Sequence, residues 1–231
     1  MGRPIQDRQI EDLFAPHRVR SFTCQASDEL VAELRADERA ALAPMIATRQ
    51  AEFATARACA RSALAALGVD ASIPRLEGGA PQWPVGITGS ISHTRGFCAA
   101  VASPGRHAIG LDVEEFARMK PAVERRILID AEQRELADLS DEQRRLRVCT
   151  IFAAKEAFYK AHYEIDPRYL GFDVVKVTVS SDRVIFAPAS HEVDRRLLAR
   201  TSGRFLVDQG RVVVGVSIST TDGTSPLPSP A

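Results

Sequence analysis

Apolar residues recur at helical spacing in two long stretches of the chain. Between Thr48 and Leu67 the side chains of Phe53, Ala60 and Leu64 share one face, and Gly68 follows in the usual C-terminal role of glycine. That pattern predicts a helix over Thr48–Leu67. From Glu142 to His162 the text is rich in Ala, Phe and Leu, and apolar residues almost encircle the wheel, which predicts a long, largely buried helix. The opening segments read as charged helices, and Pro121–Leu139 as a charged amphipathic one. Ser72–Gly89 is a loop by its Pro and Gly content, and it leads into two apolar runs of strand character, Phe97–Ala102 and Ala108–Val113. Two hairpins close the chain. Val174–Ser180 turns at Ser181-Asp182 into Val184–Ala187, and Phe205–Val207 turns through Asp208-Gln-Gly210 into Val212–Ile218. Helices in each half beside hairpin-linked strands predict an α+β fold rather than a regular βαβ sheet.

Composition narrows the class. The 231 residues, 45% hydrophobic and 26% charged, suit one large globular domain or two small fused ones and exclude a disordered chain. Thirty Lys+Arg balance thirty Asp+Glu, so no global field draws the protein to nucleic acid or an acidic membrane, and any basic site must be local. The charged start has no apolar run behind it and no stretch approaches the ~20 apolar residues of a membrane span, so a cytoplasmic protein is expected. Cys24, Cys59, Cys98 and Cys149 lack zinc-site spacing and read as reduced thiols. Thr, Ser, Pro and Gly dominate 220–231, which predicts a flexible tail.

Four groups of residues carry candidate chemistry. In Ile109-Gly-Leu-Asp112-Val-Glu114 two carboxylates stand two positions apart on a strand, hence on one face. Such a pair repels itself unless a cation sits between, and Mg²⁺ commonly takes one or two carboxylates plus phosphate oxygens; a solvated acidic edge is the plain alternative. In Phe152-Ala-Ala-Lys155-Glu156-Ala-Phe-Tyr159-Lys160 three charges sit on a helix that should be buried, with Glu156 and Lys160 one turn apart. The lysines can meet phosphates and Glu156 can join a metal or accept a proton, or all three can form internal salt bridges. Gly86-Ile-Thr-Gly89-Ser90-Ile-Ser92-His93 offers close backbone approach, a hydroxyl and an imidazole, but is neither a Walker A loop nor a nucleophile elbow. On the first long helix Arg49 and Arg57 fall on the face of Phe53, Ala60 and Leu64, where a guanidinium needs an anionic partner, either a nucleotide phosphate or a carboxylate such as Glu52. Arg61 falls at the edge of that face, toward the surface.

In order, Trp83-Pro-Val-Gly-Ile-Thr-Gly-Ser-Ile-Ser-His93, Ile109–Glu114 and Phe152–Lys160 resemble the three signature motifs of the Sfp-type 4'-phosphopantetheinyl transferases. The form of the first is similar to the enterobactin-synthetase activator and actinobacterial branch. The resemblance implies a monomeric pseudo-dimer of two similar α/β halves with the site between them: 1–105, 106–219 and the tail 220–231. It implies transfer of 4'-phosphopantetheine from coenzyme A to a serine of an acyl or peptidyl carrier protein, with Mg²⁺, in polyketide, nonribosomal peptide or siderophore synthesis. Asp112, Glu114 and Glu156 match the metal-binding carboxylates, with Glu156 also the candidate base. Ser92, His93, Lys155 and Lys160 match coenzyme A phosphate contacts, His93 and Lys160 offsetting phosphate charge during transfer. Arg49, Arg57 and Arg75 match the positions that hold the adenosine-phosphate end. Phe152 stands where the family often has Trp. Two rivals remain: a coenzyme A or nucleotide-binding module without turnover, and a serine hydrolase built from Ser90 or Ser92, His93 and Asp112.

Overall fold

The computed structural model describes residues 5–220. In chain order the elements are α1 (Asp7–Asp12), β1 (Arg20–Gln25), α2 (Ala36–Arg39), α3 (Ala47–Ala65), β2 (Ile87–Thr94), β3 (Phe97–Pro104) and β4 (His107–Glu115). There follow α4 (Pro121–Ile127), α5 (Asp130–Glu135), α6 (Asp141–Tyr163), β5 (Val175–Ser180), β6 (Arg183–Pro188), α7 (Arg195–Leu198), β7 (Thr201–Asp208) and β8 (Arg211–Ser219). A three-stranded sheet has the order β1-β3-β2 and a five-stranded one β4-β8-β7-β6-β5, with every pairing antiparallel. No described helix is long and apolar enough to cross a membrane.

Strand alternation distributes the core. On β3 the residues Cys98, Ala100 and Ala102 meet Ala56, Cys59, Ala60 and Ala63 of α3, small side chains on both partners that let the helix lie close. The alternate β3 residues, Phe97, Ala99 and Val101, face a second core shared with Ile109, Leu111 and Val113 of β4 and with Ile10, Leu13 and Phe14. Those β4 residues point away from α6, so Gly110, Asp112 and Glu114 are left on the α6 side. A third core packs Ala154, Ala157, Phe158 and Ala161 of α6 on Val212, Val214 and Val216 of β8.

The two halves repeat one plan. In each, the first strand pairs with the last and the last with its predecessor: β1-β3-β2 in one, β4-β8-β7 in the other, the second sheet extended by the β5–β6 hairpin. In each, the long helix covers the sheet and a short helix before it supplies a fully buried glutamate. Glu38 of α2 accepts the Arg35 N–H, the Ile73 N–H and the Arg61 guanidinium of α3. Glu132 of α5 accepts the Ile129 N–H, the Val177 N–H and the Lys155 ammonium of α6. The cation lies 23 residues after the glutamate in both. This is a repeat that simple self-similarity of the sequence hides, because one arginine and one lysine serve the same role.

Several expectations need correction. The stretch Pro121–Leu139 is two short helices; the chain is extended at Leu128 and Ile129, where Ile127 and Leu128 enter the core and Glu132 caps Ile129. Strand β1 lies in a region expected to be helical, and β2 begins inside the expected Ser72–Gly89 loop. Arg61 is an ion-pair partner of buried Glu38 rather than a surface residue, with its side chain 15% exposed. The expected tail lies, apart from Thr220, outside the described residues.

Candidate active site between the two halves

Strands β2 and β4 are edges of different sheets that face each other with no backbone ladder between them. An unpaired edge N–H must find an acceptor, and here polar side chains provide it. Ser90 Oγ accepts the Leu111 N–H at 2.9 Å and Ser92 Oγ accepts the Val113 N–H at 3.1 Å. Glu164, just past α6, accepts the Gly89 N–H at 3.2 Å and the Thr88 hydroxyl, and also interacts with the Ile109 backbone. Burial pushes the Glu164 carboxyl up to about 8, against these hydrogen bonds, which favour its ionised form. The Thr, Gly and Ser content of β2 therefore serves a seam, which is why the segment does not read as an apolar strand.

On the other face of β4, Gly110 lets α6 rest on the strand: a Cβ there would stand 1.8 Å from the Ala157 carbonyl oxygen. The close approach brings Lys160 to Asp112, its Nζ donating to Asp112 Oδ1 at 2.7 Å and to the Leu111 carbonyl at 3.0 Å. Ser92 donates to the same Oδ1 at 2.9 Å. Asp112 Oδ2 is buried and has no hydrogen-bond partner among the described residues. Burial, reinforced by the Asp112 charge, raises the Glu114 carboxyl to about 7, with Lys160 opposing and Glu156 adding to the rise. Glu156 is raised by burial and then by Asp112, with Lys160 again opposing. The three carboxylates thus feel one another across one small volume.

Among the described residues no three His, Cys, Asp or Glu side chains gather closely enough to hold a metal ion by themselves. Mg²⁺ needs no such cage, since it commonly takes one or two carboxylates and completes its shell with phosphate oxygens and water. An orphaned, buried carboxylate oxygen beside two further carboxylates, both shifted toward protonation, fits a divalent cation held jointly with a bound phosphate.

Cations line the first half. Arg49, half exposed rather than buried, contacts Glu52 at 3.2 Å and the ring of His93, to which its guanidinium donates. Burial, with Arg49 beside it, lowers His93 to about 4, so the imidazole is neutral at pH 7. A neutral imidazole can still donate one N–H to a phosphate oxygen. Arg57 is buried as expected; its Nε donates to the Ile73 carbonyl at 2.7 Å and its guanidinium carbon lies 4.2 Å from the Phe53 ring centroid. No carboxylate is within ion-pair distance of it among the described residues, and burial lowers it to about 10, with Glu38 opposing and Arg75, Arg49 and Arg61 adding to the effect. Arg75 is exposed beside an open cleft lined by Asp37, Ala41, Pro44 and Leu76.

Two expected phosphate ligands already have partners inside the protein. Lys155 is 3% exposed, and its Nζ donates to Glu132 at 2.7 Å and to the carbonyls of Ile127 and Phe172 at 2.9 and 2.7 Å, so its three protons are spent inside the protein. Ser92 is 4% exposed and already bonded to Val113 and Asp112. The same bonds remove the serine hydrolase, since neither Ser90 nor Ser92 meets His93, which turns to Arg49 and Glu52. Sequence reasoning missed Gly110, Glu132 and Glu164. Gly110 alone carried a legible signal, a glycine inside an apolar strand.

Two antiparallel halves joined at a seam of carboxylates and cations define the class, and the comparisons agree. Residues 37–103 match the model of the 4'-phosphopantetheinyl transferase N-terminal domain and residues 108–207 that of the 4'-phosphopantetheinyl transferase superfamily. The 4'-phosphopantetheinyl transferase Svp of Streptomyces mobaraensis is 33% identical over 216 residues, 89% of this chain and 86% of that protein. The 4'-phosphopantetheinyl transferase PptT of Mycobacterium tuberculosis is 35% identical over 157 residues, 63% of this chain and 65% of its own. Enterobactin synthase component D of Salmonella typhi is 35% identical over 132 residues, 56% of this chain and 55% of its own. The chain belongs to the 4'-phosphopantetheinyl transferase family.

Proposed function

We propose that this protein transfers the 4'-phosphopantetheine group of coenzyme A to a serine of an acyl or peptidyl carrier protein, in polyketide, nonribosomal peptide or siderophore synthesis. The observation that carries the reading is the buried Asp112 Oδ2, without a partner among the described residues, on a carboxylate whose other oxygen Lys160 holds and whose charge acts on Glu114 and Glu156. Each of the two halves, taken as 1–105 and 106–219, contributes one wall, so a monomer suffices. Arg49, Arg57 and Arg75 of the first half would hold the adenosine-phosphate end, as charge-assisted bonds from guanidinium to phosphate are strong. An anion beside Arg49 would also favour a proton on His93, whose neutral state reflects burial and the nearby cation.

Asp112, Glu114 and Glu156 would hold Mg²⁺, which when bound offsets charge on the pyrophosphate oxygens. Lys160 lies where it can donate to a phosphate oxygen as well as to Asp112. The serine oxygen forms a bond to the phosphorus on the pantetheine side, and the bond from that phosphorus to the departing adenosine 3',5'-bisphosphate breaks. Glu156, directly or through a water, accepts the serine proton.

The test is mass spectrometry of apo carrier proteins after incubation with coenzyme A, with Mg²⁺ and with chelator. One phosphopantetheine added, and lost in chelator, is the expected result. Coenzyme A binding with no change in carrier mass would favour a binding module without turnover.

A further inference from the structure

We propose that Ser92 is a positioning residue for Asp112, one that ties the cation site to the joint between the halves. This rests on the reading of Asp112 as a metal ligand. The Ser92 hydroxyl has one proton and two lone pairs. It accepts the Val113 N–H at 3.1 Å and gives its proton to Asp112 Oδ1 at 2.9 Å. Lys160 takes a second lone pair of Oδ1 at 2.7 Å. Two donors, one from β2 and one from α6, hold Oδ1 and leave Oδ2 as the oxygen without a partner among the described residues.

Ser90 supplies an internal control. It makes the same kind of seam bond one pleat earlier, accepting the Leu111 N–H at 2.9 Å, and no bond from it to a carboxylate is present among the described residues. The strand joint alone would make the two serines equivalent. Orientation of Asp112 makes them different. A hydroxyl at 92 that touched phosphate would differ again, since its loss would weaken coenzyme A binding even without metal.

The experiment compares S90A, S92A and S92T with the wild type. Mn²⁺ binding in the presence of coenzyme A is read by electron paramagnetic resonance, and coenzyme A binding without metal by calorimetry. The loss of an outer hydrogen bond to a ligand typically weakens metal affinity ~10–100-fold. S92A should therefore weaken Mn²⁺ at least about tenfold, S90A by less than about threefold, and S92T should restore most of the loss. Metal-free coenzyme A affinity should stay within about twofold in all three. Equal cation affinities for S90A and S92A, or weaker metal-free coenzyme A binding by S92A, would overturn the proposal. A wild type that binds no cation would remove the functional reading itself. If S92A proves unstable, S92T and S92C decide: the first should keep the cation affinity, the second should lower it.

Discussion

Substituting Gly110 by Ala tests whether contact between strand and helix sets the catalytic geometry. The new Cβ would lie 1.8 Å from the Ala157 carbonyl oxygen, 2.8 Å from its carbon and 3.0 Å from the Ala161 nitrogen, all backbone atoms that cannot turn aside. Restoring an ordinary contact of about 3.4 Å requires β4 and α6 to separate by about 1.6 Å. Glu156 and Lys160 ride on α6 while Asp112 and Glu114 ride on β4, so the separation falls directly on the site. A 2.7 Å bond from Lys160 to Asp112 does not survive a shift of that size. Overpacking of this kind costs about 1–3 kcal/mol, or a fall in Tm of roughly 2–12 °C, and a misplacement of about 1 Å can cost ~100-fold in rate. Thermal unfolding and single-turnover transfer, followed by carrier mass, read the two effects separately. A folded G110A protein that transfers at the wild-type rate would refute the reasoning.

Other outcomes follow from the same geometry. R57A should weaken coenzyme A binding roughly 10- to 100-fold, as expected for a lost charge-assisted bond, with a smaller effect on dephospho-coenzyme A; unchanged calorimetry would remove Arg57 from the site. The Glu164 carboxyl titrates at about 8 in the fold against a reference of 4.5, so the native state holds the extra proton between those values. Its contribution to stability is full below about pH 4.5 and is lost as pH rises to about 8; by linkage the loss is up to roughly 5 kcal/mol, less where the structure relaxes. E164Q should flatten that slope in denaturant titrations across the range, and an unchanged slope would reassign it. Arg125 and Arg126 are exposed on α4, and the neighbouring Glu124 is taken by Arg144, so R125E/R126E should raise the carrier KM several-fold at low salt, less at high salt, with coenzyme A affinity unchanged.

What the sequence exposed and what it concealed divide along physical lines. The helix at Thr48–Leu67, the helix at Glu142–His162 and both closing hairpins were legible because apolar periodicity survives wherever one face is buried. Strand β2 was hidden because its buried side chains are hydroxyls that bond to a neighbouring edge instead of packing in a core. The carboxylates at 112 and 114 could be placed on one face by alternation alone. The two lysines could not be separated, because apolar residues surround α6; their spacing from Glu156 does not show that Lys160 turns to β4 while Lys155 turns to α5. Arg49 and Arg57 share a wheel position near the buried face, yet only Arg57 is enclosed. Glu38 and Glu132 were invisible, as nothing in the text distinguishes a fully buried glutamate in a short charged helix from a solvated one.

The matched pair of buried glutamates also bears on stoichiometry. A symmetric ancestor with two such halves would have carried two equivalent centres, but the copies have diverged at the positions that matter. Beside Lys155 stands Glu156, whereas beside Arg61 stands Ser62; five residues after Lys155 comes Lys160, whereas five after Arg61 comes Ala66. The first copy has kept the clasp that seats its helix and lacks the counterparts of the proposed base and of the Lys160 ammonium. Each chain is thus expected to saturate at one equivalent of coenzyme A, with the first half free to specialise in gripping the nucleotide.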